Sequence, residues 1–178
     1  MQYLAPDALA RARRVRLVIF DVDGVLTDGK LWYGPGGEEL KAFHAFDGHG
    51  VQLLRMARLD TAIISGRQSQ AVEERARQLG IKHVVQGADD KLEHFERMLR
   101  GLRLKRAAVA YMGDDVVDLP ILTRCGFACA PHEAPEDVRR RAHYIASADA
   151  GHGAAREVCE FILEAQGKLG RVLQRYLK

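Results

Sequence analysis

LVIFDVDGVLTDG, residues 17–29, decides the fold. Leu17 to Phe20 form a short apolar, β-rich run that ends on two aspartates, Asp21 and Asp23, with Gly24 and Gly29 permitting a tight path behind them. Similar runs occur at Thr61 to Ile64, His83 to Val85, Ala107 to Met112 and Phe127 to Ala130. Between them apolar residues recur at a helical period: Val72, Ala76 and Leu79, with Gly80 placed to stop the helix, then Leu92, Phe95, Leu99 and Leu102. Strand runs alternating with helical patterns predict an α/β fold, a Rossmann-like parallel sheet with crossover helices. Acidic residues follow the first and fourth strands, at Asp21, Asp23, Asp114 and Asp115. Open α/β sheets bind ligands beyond the carboxyl ends of their strands, so the active site is expected there.

One segment breaks the alternation. Residues 28–43 read DGKLWYGPGGEELKAF, in which GPGG between two apolar runs predicts a β-hairpin. Its aromatics suit either the edge of the core or a cover over a cleft or a partner subunit.

The chain has 178 residues, 47% hydrophobic and 29% charged, which fits one globular domain, with a core over about 16–166 and a C-terminal tail over 167–178. No apolar run approaches the ~18 residues of a membrane span. Asp7, Arg11, Arg13 and Arg14 interrupt any signal-peptide core, so a cytoplasmic protein is expected. A net charge of +3 is too small to argue for nucleic acid. The basic clusters Arg11, Arg13, Arg14, Arg16 and Lys168, Arg171, Arg175, Lys178 read as solvated faces or a tail. Cys125, Cys129 and Cys159 form no CxxC pair and read as buried, reduced thiols.

Four short motifs carry chemistry. Asp21 and Asp23 lie two apart at a strand end, so both carboxylates project to one side, and their repulsion calls for separate protonation roles or a bound cation. IISGR, residues 63–67, closes a second strand with Ser65, Gly66 and Arg67; the serine suits either a helix N-cap or a ligand contact. Lys91 follows Asp89 and Asp90 at a helix start, where the macrodipole disfavours a lysine; it is either a surface residue or a phosphate contact. GDDVVD, residues 113–118, offers Asp114, Asp115 and Asp118, which suit helix capping or a hard divalent cation.

In this order the motifs resemble those of the haloacid dehalogenase superfamily of phosphohydrolases. DVDGVLTDG, GEELKAFHAFDGHG, IISGR, QGADDK, GDDVVDLP and GHGAAREVCEFILEAQGKL further resemble the 3-deoxy-D-manno-octulosonate 8-phosphate phosphatase family, from Leu17 to about Leu169. His44 stands where relatives often have asparagine, and the tail after Gly170 reads as lineage-specific. The resemblance implies a magnesium-dependent phosphomonoesterase of lipopolysaccharide precursor synthesis. Asp21 would be the nucleophile and Asp23 the acid and base. Magnesium would be held by Asp21, the main-chain carbonyl of Asp23 and Asp114. Ser65 and Lys91 would bind the phosphoryl group, while Asp115 and Asp118 would orient the ion's waters or Lys91. It adds Gly66 and the loop His44, Ala45, Phe46, Asp47 and Gly48 to a substrate-binding set that includes Asp23, Arg67, Arg75 and Lys91.

Members of the superfamily usually carry a cap domain between these motifs. Here 44 positions separate Asp21 from Ser65 and 26 separate Ser65 from Lys91, room for the hairpin, one helix and a strand, then one helix and a strand. No cap fits, so a neighbouring subunit is the expected lid; the resemblance implies a homotetramer, with Leu31 to Leu40 at the interface. Arg67 separates this family from phosphatases of nine-carbon, sialic-acid-like sugar phosphates, which tend to carry glutamate there; an arginine pairs with a substrate carboxylate that a glutamate would repel. A surface ion pair with Glu73, Glu74 or an interface acid is the plainer alternative for Arg67 and Arg75. A non-catalytic, magnesium-binding phosphoacceptor domain would lack the partner that Asp23 provides.

Overall fold

The computed structural model describes residues 3–177; Lys178 of the basic tail lies outside them. The chain begins with strand β1 (Tyr3–Leu4), helix α1 (Ala8–Ala12) and β2 (Leu17–Phe20). The hairpin strands β3 (Trp32–Tyr33) and β4 (Glu39–Leu40) follow, then α2 (Ala45–Met56), β5 (Asp60–Ile64), α3 (Gln70–Leu79), β6 (His83–Val85) and α4 (Lys91–Leu102). The second half runs β7 (Val109–Met112), α5 (Leu119–Leu122), β8 (Phe127–Ala130), α6 (Glu136–Arg139), β9 (Tyr144–Ile145), α7 (Ala154–Ala165) and α8 (Leu169–Leu173).

Seven strands form one sheet in the order β1-β9-β8-β7-β2-β5-β6. Every pair is parallel except β1 with β9 at the edge. From β2 the chain adds β5 and β6 on one side, then returns to add β7, β8 and β9 on the other. The strand order therefore reverses beside β2, and a crevice opens at its carboxyl end.

Side chains alternate across the sheet with the two-residue period of a strand. Val18, Phe20, Ile63, Ala110, Met112, Phe127 and Cys129 pack with α1, α2, α3 and α7 on one face. Leu17, Ile19, Ala62, Ile64, Val109, Tyr111, Ala128 and Ala130 pack with α4, α5 and α6 on the other. Burial on both faces explains why these strands read as unbroken apolar runs. Gly80 ends α3 in the left-handed conformation, as expected.

The sheet departs from the sequence reading in three places. Arg106–Ala108 form a 3₁₀ turn closed by Ala108 N–H on the Lys105 carbonyl, so β7 begins at Val109 rather than Ala107. Strands β1 and β9 have two residues each, too few to show a period. Ser69, not Ser65, occupies the N-cap of α3. The three cysteines are free and buried. Leu31, Trp32, Tyr33 and Leu40 of the hairpin are 45–60% exposed, so they do not cap the core. The N-terminal basic cluster is only partly a solvated face: Arg11 and Arg13 donate to the carbonyls of Gly126 and Ala165. Among the described residues no helix is long and apolar enough to cross a membrane.

Candidate active site

Three chain segments converge where the strand order reverses. Asp21 follows β2, Asp114 to Asp118 follow β7, and Lys91 is the first residue of α4. The Asp90 side chain caps α4 by accepting from Glu93 N–H, which turns Lys91 inward rather than to the surface. Lys91 is 7% exposed and its Nζ donates to Asp21 Oδ2 at 2.7 Å and to Asp118 Oδ1 at 2.8 Å. Burial alone would lower its pKa, but the adjoining charges of Asp21 and Asp118 outweigh that and raise it.

Asp118 is fully buried. Its Oδ1 also accepts from the Tyr111 hydroxyl at 2.6 Å, and its Oδ2 accepts from the N–H groups of Asp114 at 3.1 Å and Asp115 at 3.3 Å. Asp115 reciprocates by capping the same turn. Asp115 and Asp118 thus cap this turn, whereas Asp114 does not.

Asp114 Oδ1 is buried without a hydrogen-bond partner, as is Asp23 Oδ2. Gly24, at φ +79°, gives Asp114 its space: a Cβ there would come within 2.1 Å of Asp114 Oδ2. Burial first, then the charges of Asp21 and Asp118, push the Asp114 carboxyl up to about 8. Asp21 is also raised, by burial and then by Asp118, with Lys91 opposing. Carboxylate oxygens of Asp21, Asp114 and Asp118 lie within 4.8 Å of one another. Asp118 already accepts from four donors, close to the capacity of a carboxylate, which leaves Asp21 and Asp114 as side-chain ligands for a cation. An all-oxygen set with an orphaned buried carboxylate fits a hard divalent cation.

The cleft around these groups holds about 330 Å³ and is lined by Asp21, Asp23, Ser65, Gly66, Arg67, Lys91, Asp114 and Asp115, with Gly29, Leu31 and Val117 at its apolar side. Ser65 is 2% exposed and its Oγ accepts from Arg67 N–H at 3.3 Å. Arg67 pairs with neither Glu73 nor Glu74. Its guanidinium donates to Glu39 Oε2 at 2.6 and 3.2 Å and to the Tyr33 hydroxyl at 3.1 Å.

The remaining predicted substrate residues do not line this cleft. His44 is the N-cap of α2, its Nδ1 accepting from Phe46 N–H. Asp47 is buried and accepts from Gly153 and Arg156 N–H at the start of α7. Gly48 faces Arg75, which donates to the His44 carbonyl at 3.3 Å. Ala45 and the exposed Phe46 share that helix end. Sequence reasoning overlooked Lys41, Glu39, Tyr33 and Tyr111. Lys41 was legible in part, since it stands in the LKAF run that follows GPGG, two positions from Glu39.

The fold and this constellation of aspartates around one lysine are those of haloacid dehalogenase-type hydrolases. No family model matches the chain. It is 44% identical over 166 residues to the 3-deoxy-D-manno-octulosonate 8-phosphate phosphatase KdsC of Yersinia pestis, covering 93% of this chain and 89% of that protein. The corresponding protein of Escherichia coli K12 is 43% identical over 93% of this chain and 88% of its own. The crystal structure of the Moraxella catarrhalis phosphatase of that name, in complex with magnesium, phosphate and a KDO molecule, superposes with a TM-score of 0.93 at 38% identity, covering 96% of this chain and 98% of that one. The chain belongs to the 3-deoxy-D-manno-octulosonate 8-phosphate phosphatase family.

The raised carboxyls have a consequence for stability without divalent cations. A carboxyl with a raised folded-state pKa holds a proton that the unfolded chain has already lost, so its contribution is complete below the ordinary value of 3.8 and fades as pH rises toward about 8. Urea unfolding in the presence of a chelator is expected to show stability falling across that window. Asp114→Asn is expected to flatten the fall, and an unchanged slope would show that Asp114 is not its source.

Proposed function

We propose that this chain hydrolyses 3-deoxy-D-manno-octulosonate 8-phosphate to the free eight-carbon acid sugar and phosphate, in the cytoplasm, as a step of lipopolysaccharide precursor synthesis. The observation that carries the reading is Asp21 at the floor of the cleft, one oxygen on Lys91 and the other on Val22 N–H at 2.7 Å. The relatives named for this activity and the magnesium, phosphate and KDO of the Moraxella catarrhalis complex support it.

Asp21 attacks the phosphorus, forming an aspartyl-phosphate as the bond to the sugar oxygen breaks. Asp23 gives a proton to the departing alkoxide, then takes one from the water that attacks the phosphoenzyme and releases phosphate. Lys91 and Ser65 hold phosphoryl oxygens, and Asp118, fixed by its four donors, keeps Lys91 in place. Asp21, Asp114 and the main-chain carbonyl of Asp23 would hold magnesium, whose positive charge would offset the repulsion of the anionic nucleophile and the dianionic phosphate. Such fixed charges do most of the work in phosphoryl transfer. Arg67, at the rim of the cleft, pairs with the carboxylate of the acid sugar.

The chain acts as a homotetramer. Leu31, Trp32, Tyr33 and Leu40 are large apolar residues left on the surface beside the cleft, the kind of patch that a subunit covers. In that arrangement the His44 to Gly48 loop lies near a site through its exposed Ala45 and Phe46.

Magnesium-dependent phosphate release from the acid sugar phosphate is expected, and Asp21→Asn is expected to abolish it because an amide cannot form the acyl-phosphate. Near-normal turnover by Asp21→Asn would overturn the covalent route. Arg67→Ala is expected to lower kcat/KM on the acid sugar phosphate by about 10- to 100-fold, the loss of a charged hydrogen bond, while an aryl phosphate lacking a carboxylate is little affected. Equal losses on both would assign Arg67 to the phosphoryl group or the fold. Light scattering is expected to give a tetramer; a monomer with full activity on the sugar phosphate would refute the subunit lid.

A further inference from the structure

Lys41 follows β4 of the hairpin and belongs to none of the four motifs. Its side chain is 1% exposed, more buried than that of Lys91. Its Nζ forms an ion pair with Asp23 Oδ1 and lies 2.5 Å from Glu39 Oε1. Glu39 in turn binds Arg67 through its other oxygen. A chain of charges thus runs from Asp23 through Lys41 and Glu39 to Arg67, joining the loop after β2 to the segment after β5 across the hairpin.

Burying an ammonium at a loop is costly unless its partners are fixed and close, so a lysine in this position marks what it holds. What it holds is one oxygen of Asp23. The other, Oδ2, is buried and accepts no hydrogen bond, and Asp23 lines the cleft. A general acid needs one oxygen free to carry the proton and a side chain that cannot swing away from the leaving group. Lys41 supplies both conditions by occupying Oδ1.

We propose that Lys41 is the positioning residue of the acid–base aspartate: by holding Asp23 Oδ1 it presents Oδ2 to the leaving-group oxygen. This rests on the reading of Asp23 as the acid. Lys41 itself touches neither the phosphoryl group nor the reacting atoms in this scheme. It therefore affects those substrates whose departing oxygen needs a proton and spares those whose departing oxygen does not. A lysine that merely anchored the hairpin would slow all substrates alike.

The test is single-turnover phosphoryl transfer, with magnesium, from a series of phosphate esters running from a nitrophenyl phosphate to alkyl and sugar phosphates. The enzyme is compared with Asp23→Asn, Lys41→Met and Lys41→Arg. Lys41→Met is expected to lose on the order of 10²-fold on alkyl esters but less than about threefold on the nitrophenyl ester, following the steepened leaving-group dependence of Asp23→Asn. Lys41→Arg, which restores a donor and a charge, is expected to recover most of that loss. Because Lys41→Met leaves two carboxylates facing one another, Lys41→Met/Glu39→Gln, which removes the pair without changing the net charge, is measured beside it and is expected to show the same steepened dependence. A uniform slowing across the series in the lysine variants, with Asp23→Asn steep, overturns the proposal. A flat dependence in Asp23→Asn overturns the reading of Asp23 beneath it, and the proposal with it.

Discussion

A single ammonium shared between two buried carboxylates holds the centre of this molecule. Lys91 sits at the first position of α4, where the helix dipole opposes a cation by about 0.3–1 kcal/mol. That penalty is small beside the cost of leaving Asp21 or Asp118 buried without a counter-charge, about 3–5 kcal/mol when a buried pair loses one partner. Two carboxylates at 2.7 and 2.8 Å therefore decide the matter, and the helix start is drawn to the strand ends. The same contacts tie α4 to β2 and to the turn after β7. Catalytic geometry and the packing of three elements thus depend on one side chain.

Around that ammonium, four aspartates are given four different surroundings. Asp118 is saturated by Lys91, Tyr111 and two backbone N–H groups and serves as a fixed support. Asp21 is held by Lys91 and one N–H, with its carboxylate on the cleft. Asp23 is turned to a different lysine. Asp114 is packed into the space that Gly24 leaves and has an oxygen with no donor, so it is the carboxylate most in need of a cation. In the proposed mechanism one residue type fills the parts of nucleophile, acid, ligand and support because the environment, rather than the side chain, sets each role.

Much of this was legible in the sequence. Leu17 to Phe20 and Phe127 to Ala130 match observed strands because doubly covered strands must be apolar throughout, and the acidic ends of β2 and β7 follow from where such sheets bind ligands. The hairpin was also legible from GPGG. Its links to the cleft were not: Lys41 reaches Asp23 across 18 positions and Glu39 reaches Arg67 across 28, and charged residues in a turn-rich stretch read as solvated. Tyr111 was within reach, since a tyrosine in a doubly buried strand requires a partner for its hydroxyl and acidic residues follow it. For Arg67 the sequence offers Glu73, Glu74 or an interface acid as partner, while the actual one, Glu39, comes from the hairpin.

That hairpin partner bears on how an arginine already paired with Glu39 can still serve a substrate. The Arg67 side chain is 42% exposed, and a pair exposed to that degree contributes only about 0–1 kcal/mol, because water screens it and two side chains must be ordered to make it. Glu39 occupies Nε and one terminal nitrogen, and a guanidinium has five N–H donors, so a substrate carboxylate can add to the free edge or exchange with Glu39 at little cost. Glu39 keeps its contact with Lys41 in either case and is not left uncompensated. Glu39 holds the guanidinium at the rim of the cleft, so that, if Arg67 takes the substrate carboxylate as proposed, it is ordered before the substrate arrives and less side-chain entropy is lost on binding. An open cleft without a cap domain gains from such ordering, because it has few walls with which to fix a small ligand.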